Sequence, residues 1–206
     1  MALISVSNNA LSGITALPAS IPTGALTLIK SITASASASI SFVDGTDGVV
    51  LDGTYSSYIF KFIDINPATD NVQFEFNMST DSGSNYNVVK TSTYFVAYHA
   101  ESDSASGLVY ETSNDLAQST NFQWLSYGVG NGADESTAGT LQIFNPSSTT
   151  FVKHYISRFS DYQRTDFIRD EYVAGYGNTV SAVDAVRFQF SAGNIDDGII
   201  KLYGVS

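Results

Sequence analysis

Two stretches of this chain alternate between apolar and polar residues with a period of two. In residues 32–42 every even position is apolar and every odd position is Ser or Thr, and residues 72–78 repeat the pattern with larger apolar side chains. A strand points successive side chains to opposite faces, so the pattern predicts strands with one buried and one exposed face. Such strands are typical of antiparallel sheets and argue against the parallel α/β folds that host most cofactor chemistry.

Short apolar segments continue along most of the chain, separated by clusters of Gly, Asn, Asp, Ser and Pro. They predict about nine or ten short strands, including a hairpin between residues 140–145 and 151–159. Residues 26–42 are expected to form one long strand, or two that meet at a bend at Lys30. The one helix predicted is a short turn over residues 114–118, capped by Asn114. The set predicts an all-β fold, namely an antiparallel β-sandwich of the jelly-roll type.

Two regions are expected from composition. Residues 1–24 contain two of the four prolines, no charged residue and scattered Leu and Ile side chains. They predict an irregular N-terminal arm for docking or oligomer contact, which packs on its own domain or on a neighbouring subunit. Residues 25–206 are long enough to form one β-sandwich domain.

The formal net charge of −11 limits the classes of partner. No Lys or Arg lies between Thr91 and Val152, and three of the four Arg residues fall within residues 158–169. A nucleic-acid partner needs a basic surface, so none is expected. No apolar run approaches the ~20 residues of a membrane span, so membrane insertion is not expected either. Lys30 is the first basic residue, so a secretory leader is not expected.

Few residues suggest catalysis. The chain has no cysteine, which removes disulfides and thiol chemistry. The two histidines, His99 and His154, lie in separate predicted strands without metal-binding spacing. No nucleophile elbow is present. We therefore expect no enzyme activity and no cofactor.

Paired carboxylates are the remaining route to catalysis, because β-sandwich glycosidases and lyases use them. The candidates are Asp161, Asp166 and Glu171, in the most highly charged segment of the chain. Charges of opposite sign alternate in this segment. That pattern favours a salt-linked surface or a subunit contact over an acid–base pair with a raised pKa.

Two loops carry candidate calcium ligands. The first contains Asp44, Asp47 and Asp52 among three glycines, and the second comprises residues 194–197. Neither matches the twelve-residue calcium-binding loop. Asp-Gly pairs are also common in plain turns, because both residues tolerate positive φ. No metal is therefore assigned, and Asp44, Asp47 and Asp52 remain candidates.

Aromatic residues provide candidate binding contacts. Trp124, the single tryptophan, together with Tyr110 and Tyr127, could stack on a glycan or contact a receptor from loops. The alternative is that these rings lie in the core and on strand faces, as most aromatic rings do.

Five segments, taken in order, carry a family resemblance: residues 64–72 (DINPATDNV), 80–87 (TDSGSNYN), 144–154 (FNPSSTTFVKH), 172–179 (YVAGYGNT) and 193–205 (GNIDDGIIKLYGV). Together they resemble structural proteins of tailed bacteriophages, especially marine and cyanobacterial ones. The resemblance covers roughly residues 28–205. The closing segment alone is widespread among phage fibre and virion surface proteins, and the ordered set is more specific.

The resemblance implies a non-enzymatic virion protein that is assembled in the bacterial host cytoplasm and displayed on the particle surface. A tail-fibre or adhesin-type component that contacts the host is expected. A capsid decoration protein, as cement or head fibre, is the first alternative, and a free carbohydrate-binding module is the second. The expected partners are identical chains, most simply as a homotrimer, and other virion proteins through residues 1–24. A host surface glycan is a further candidate partner.

Overall fold

A computed structural model describes residues 26–206, so the predicted arm, residues 1–24, lies outside the described residues. The described part of the chain forms twelve β-strands and no helix, and it therefore contains no helix long and apolar enough to cross a membrane. The strands are β1 (Leu26–Thr33), β2 (Ile40–Val43), β3 (Ser57–Pro67), β4 (Val72–Ser79), β5 (Lys90–Ala100), β6 (Ser106–Tyr110), β7 (Gln123–Val129), β8 (Thr137–Phe144), β9 (Lys153–Gln163), β10 (Phe167–Gly177), β11 (Ala185–Phe190) and β12 (Ile195–Val205).

All strand pairs are antiparallel, and they form two facing sheets. The larger sheet has eight strands in the order β1-β12-β3-β8-β9-β10-β5-β6, and the smaller has four in the order β7-β4-β11-β2. The single pair Val129↔Gln163 joins the sheets along one edge. The predicted antiparallel β-sandwich is confirmed.

The connectivity is that of a jelly roll with two inserted hairpin-like units. When β5, β6, β9 and β10 are left out, eight strands remain, and we count them in chain order. One sheet then has the order first, eighth, third, sixth, and the other has the order second, seventh, fourth, fifth. This is the pairing that two interlocked Greek keys produce. The inserted strands extend the first of these sheets from four strands to eight.

The core lies between the sheets and is dominated by phenylalanine. Phe188 of the four-stranded sheet contacts Phe60 and Phe62 of the eight-stranded sheet, with ring centroids 5.0 and 4.9 Å apart and edge-to-face geometry. Phe42 packs against Phe60 at 5.2 Å. These are the inward positions of alternating strands, so the period of two in the sequence directly encodes this core.

Residues 26–42 form two strands, as the second alternative expected, but the strands do not meet at Lys30, and the single long strand is wrong. β1 ends at Thr33 and pairs with β12, whereas β2 begins at Ile40 and pairs with β11 in the other sheet. Between them the chain crosses the end of the sandwich, and Ala36 turns it at a φ of 46°. Alternation continues through this crossing in the sequence, but Ala36 is exposed there.

The helical turn expected over residues 114–118 is also wrong, because the backbone there bonds to β5 instead of to itself. The Ser92 N–H donates to the Leu116 carbonyl at 2.9 Å, and the Leu116 N–H donates to Oγ of Ser92 at 2.9 Å. Lys90 and Ser119 exchange two backbone hydrogen bonds. The hairpin over residues 140–159 is confirmed as β8 and β9.

Candidate functional site

The outer face of the four-stranded sheet is covered, and a pocket lies under the cover. The inward positions of β4 hold its core residues, so Glu75 and Asn77 point outward. Nevertheless Glu75 is only 8% exposed and Asn77 is fully buried. Residues 111–122, the segment from β6 to β7, form this cover and are held against β5 by the backbone hydrogen bonds described above.

The pocket has a volume of about 410 Å³. It combines one indole ring, one carboxylate and two side-chain amides; its lining is Glu75, Ser113, Asn114, Leu116, Thr120, Asn121, Phe122 and Trp124. A concave site with an aromatic wall and a few convergent polar groups suits a small polar ligand. The pocket is also fixed in shape, because the Gln123 side chain donates to the Asn114 carbonyl at 3.1 Å.

Glu75 lies at the centre of the pocket floor. In the sheet it is paired with Trp124 of β7 on one side and with Gln189 of β11 on the other. The Gln189 amide donates to the Glu75 carboxylate at 2.9 Å. Burial raises the pKa of Glu75, and hydrogen bonds from Gln189 and Trp124 partly oppose that shift. The floor therefore presents an acceptor whose proton affinity is higher than that of an exposed carboxylate.

Lys90 lies beside the pocket floor and is completely buried. Its Nζ donates to Oδ1 of Asn77 at 2.6 Å and to the Val88 carbonyl at 2.8 Å. The Asn77 amide in turn donates to the carbonyls of Tyr86 and Thr120 at 2.8 and 2.9 Å. Burial lowers the pKa of Lys90 to about 7, while the nearby Glu75 carboxylate opposes the shift.

Of the three aromatic residues singled out from the sequence, Trp124 lines the pocket. Tyr127 is its neighbour, with ring centroids 5.7 Å apart, but it packs under the Arg169 guanidinium. Tyr110 lies elsewhere, on β6, and its hydroxyl donates to Asp115 at 2.6 Å. The structure thus groups Trp124 with Tyr127 and separates both from Tyr110.

Sequence reasoning missed Glu75, Asn114 and Asn121. The alternation in β4 does place Glu75 on the outer face, where a charged residue is expected. Nothing local indicates that residues 111–122 fold back over that face, because the contact is made to β5, more than 20 positions away in the sequence.

A second polar cluster lies between the sheets and consists of Asp161, Arg169 and Glu171, the acid–arginine cluster. Glu171 accepts from Nε of Arg169 at 2.8 Å, from the Tyr127 N–H at 3.2 Å and from the Tyr94 hydroxyl. Burial raises the pKa of Glu171 to about 7 and raises that of Asp161 well above its usual range, although Arg169 opposes both shifts.

The expectation that this segment forms a salt-linked surface is therefore wrong for its odd-numbered charged residues. Asp161 and Glu171 are 1% and 0% exposed. The even-numbered Asp170 faces outward and pairs with Arg158 at 2.7 Å, as expected for a surface ion pair. The period of two was the available signal, because Asp161 shares its parity with Phe159, and Glu171 shares its parity with Val173. Asp166, in the β9–β10 turn, accepts from the Tyr162 hydroxyl at 3.2 Å.

The candidate calcium loop is held by its own side chains. Asp44 accepts from the Leu51 N–H and Asp52 from the Thr54 N–H, both at 2.8 Å. Asp47 adopts a φ of 50°, as a turn residue does. Within residues 26–206 no group of three or more His, Asp or Glu side chains is placed to hold a metal ion.

No part of residues 26–206 packs over the outer face of the eight-stranded sheet, which exposes many apolar side chains around the Arg158–Asp170 ion pair, and we call it the apolar face. Its exposed apolar residues are Leu26, Leu28, Ile63, Phe95, Leu108, Tyr110, Ile156 and Ile168. Strand pairing aligns some of them in rows: Tyr110 lies opposite Phe95, which lies opposite Tyr172. The Phe95 and Tyr172 rings stack in parallel at 4.8 Å.

Comparison with known proteins does not identify a family. No family model matches the chain, and no curated protein or solved structure is significantly similar to it. A function for the chain is therefore inferred from the geometry of residues 26–206 and from the resemblance described above.

Proposed function

We propose that the chain is a non-enzymatic structural protein on the surface of a bacteriophage particle, of the tail-fibre or adhesin type. The observation that carries the proposal is the contrast between the two outer faces of one jelly roll. One face is left open by residues 26–206 and exposes many apolar side chains around the Arg158–Asp170 ion pair, and the other carries a preformed pocket with an indole wall. A repeated surface unit needs both, because it must attach to neighbours and present a recognition site outward.

Assembly is assigned to the apolar face, with a second copy of the chain as its occupant. Contiguous exposed apolar surface marks interaction sites. The uncharged residues 1–25 lead directly into Leu26 on the edge strand β1, where Leu26 and Leu28 are exposed on this face. The Leu and Ile side chains of this segment match the apolar face in polarity. Closed cyclic symmetry, most simply a trimer, satisfies such contacts.

Recognition is assigned to the pocket, with a host surface saccharide as the ligand. The apolar face of a sugar ring packs on an indole ring, and its hydroxyls need acceptors and donors at the rim. Glu75 supplies an acceptor, while Asn114 and Asn121 supply amides. Trp124 is the contact whose loss is expected to affect binding most.

The acid–arginine cluster favours a structural role over catalysis. A glycosidase needs its two carboxyl groups on either side of a bound sugar chain. Asp161 and Glu171 instead lie enclosed between the two sheets, and Glu171 is saturated by Tyr94, Arg169 and a backbone N–H. The cluster thus serves to join β9 and β10 to the core.

Mass spectrometry of purified phage particles tests the proposal. The chain should be present in tens to hundreds of copies per particle, and its absence from particles would overturn the proposal. Immunogold imaging of the same particles separates the alternatives, because label on the tail supports the adhesin assignment and label on the head supports capsid decoration.

A free carbohydrate-binding module is the second candidate, and the Trp124 pocket favours it. This candidate predicts a monomer that binds glycans without any virion partner. A glycan array probed with the full chain, together with its molar mass in solution, distinguishes the two. Binding by a monomer supports the free module, whereas binding by an oligomer supports the virion protein.

A further inference from the structure

Lys90 and Asn77 place an amine against a side-chain amide in a buried site. Both side chains are 0% exposed, and the distance from Nζ of Lys90 to Oδ1 of Asn77 is 2.6 Å. In the described part of the chain, Lys90 makes no ion pair within 4.0 Å. Burying a charged lysine without a carboxylate in contact lowers the stability of the fold. This cost calls for an explanation.

The amide carbonyl of Asn77 is polarised. Its Oδ1 accepts from the Met78 N–H at 2.8 Å in addition to Lys90. The Met78 N–H remains on Oδ1 when the neutral Lys90 amine attacks, and it favours addition to the carbon because it stabilises the negative charge that develops on the oxygen. The amide nitrogen is held by the carbonyls of Tyr86 and Thr120, so the group cannot rotate away.

Glu75 provides a carboxyl group next to this pair. It lies two residues before Asn77 on β4, so both side chains project from the same face of the strand. Glu75 and Lys90 are close enough that the charge of each affects the titration of the other. Glu75 and Lys90 form no ion pair within 4.0 Å, so this buried carboxyl group relays a proton between the two nitrogens through one intervening water.

We propose that Lys90 and Asn77 form an intramolecular isopeptide bond, with Glu75 as the proton carrier. The Lys90 amine adds to Cγ of Asn77, a new N–C bond forms, and the bond from Cγ to Nδ2 breaks. One proton from Nζ passes through Glu75 to the departing nitrogen, which leaves as ammonia. No oxidant or co-reactant is needed, and the Glu75 carboxyl returns to its starting state. The proposal does not depend on the proposed function of the chain.

The protonation of Lys90 is consistent with this chemistry. Only the neutral amine is a nucleophile, and an exposed lysine is almost entirely protonated at neutral pH. Burial lowers the pKa of Lys90 to about 7, so a large fraction is neutral under ordinary conditions. Burial also raises the pKa of Glu75, so its carboxyl group accepts a proton readily.

Lys153 provides an internal contrast. It is also completely buried, but its Nζ donates to three backbone carbonyls, those of Ser148, Phe151 and Thr179. Within residues 26–206 none of the hydrogen-bond partners of its Nζ is a side-chain amide, so no electrophile of the Asn77 kind is in contact with it. Burial of a lysine alone therefore does not predict the bond.

The bond would fix the pocket floor covalently. It would close the loop over residues 78–89 and tie the end of β4 to the start of β5, the strand that holds the cover. The departing Nδ2 is the atom that donates to the carbonyls of Tyr86 and Thr120, so the bond replaces those two hydrogen bonds with a covalent link. Constraining such a loop stabilises the folded state by restricting the unfolded chain, as a disulfide does.

Intact mass spectrometry of the denatured full-length chain tests the proposal. The expected mass is lower than the sequence mass by one ammonia molecule. Trypsin then gives a sharper readout, because Lys61, Lys90 and Lys153 are the only cleavage sites across residues 61–153. The bond blocks cleavage after Lys90, so residues 62–153 should remain one peptide. The full sequence mass with normal cleavage after Lys90 would overturn the proposal.

Two controls exclude other sources of the mass loss. A succinimide at Asn131-Gly132 also loses ammonia, but it leaves cleavage after Lys90 intact, so that pattern would overturn the proposal. Lys153→Arg should retain the bond, whereas Lys90→Arg should show the full mass.

Glu75→Gln should slow bond formation at least about tenfold, in line with loss of a proton carrier. An unchanged rate in Glu75→Gln would overturn the role of Glu75.

Discussion

The two outer faces of this sandwich differ in opposite ways from the usual exposed sheet. An antiparallel sheet with one face in water normally carries polar side chains there. The four-stranded sheet carries polar residues, but Glu75 and Asn77 are buried beneath residues 111–122. The eight-stranded sheet is not covered by any part of residues 26–206, yet Leu28, Leu108 and Ile156 on its outer face are more than half exposed.

Each departure from the usual pattern fits one of the two proposed contacts, with a saccharide on one face and with a second chain on the other. Burying Glu75 and Lys90 costs stability that a polar surface would not, so the cover has a role other than folding. Exposing a broad apolar face carries a risk of aggregation, so a specific neighbour is needed to cover it. The proposed recognition on the covered face and the proposed assembly on the apolar face account for both departures.

The largest expected effect is loss of assembly when charge is placed on the apolar face. In the double variant Leu108→Asp and Ile156→Asp, the oligomer should dissociate completely, because two carboxylates per chain would be buried without partners. Both residues are exposed in the single chain, so the fold should be unaffected. Sedimentation velocity measures the outcome. Val180→Asp, which is equally exposed but lies in a loop, should leave assembly intact.

Opposite sides of β10 carry the next contrast. Glu171→Ala should lower the free energy of unfolding by about 3–5 kcal/mol, because it leaves Arg169 buried without its partner. Asp170→Ala, one residue away on the outer side, should lower it by less than about 1 kcal/mol. Urea unfolding of both variants checks the pair. Equal losses would contradict the assignment of inner and outer sides.

The same inner cluster predicts a pH dependence. Burial raises the pKa of Glu171 from 4.5 to about 7, so the folded state binds more protons between these values than the unfolded state does. The contribution of Glu171 to stability is therefore full below about pH 4.5 and is lost as the pH rises to about 7, on the order of 3 kcal/mol. Glu171→Gln should flatten the urea midpoint over this range. If the urea midpoint of the parent chain instead rises between about pH 4.5 and about pH 7, the raised pKa of Glu171 is contradicted.

The smallest expected effect concerns the covered face. Trp124→Ala should weaken saccharide binding by at least about tenfold, equivalent to ~1.4 kcal/mol, through loss of the stacking surface. Phe151→Ala is the matched control, because it removes an exposed aromatic ring from the β8–β9 loop, outside both the pocket and the apolar face. A glycan array followed by titration of the best ligand measures both. If the parent chain and both variants bind the saccharide equally well, the pocket is not the recognition site.

Local pattern predicted the elements of this fold better than its long-range contacts. The apolar positions of β4 face the core because alternation alone decides their side, and Trp124 was identified as the single indole. The crossing at residues 34–39 was missed, because alternation does not record which sheet a strand joins. The pocket was missed because its cover is positioned by Ser92 and Lys90, distant in sequence.

The molar mass of the native full-length chain in solution, measured by light scattering, tests most directly whether the apolar face is an assembly surface. The account predicts an oligomer, most simply three chains of 22.0 kDa each, that dissociates when residues 1–24 are deleted while the β-sandwich stays folded. A monomer both with and without residues 1–24 would contradict the account.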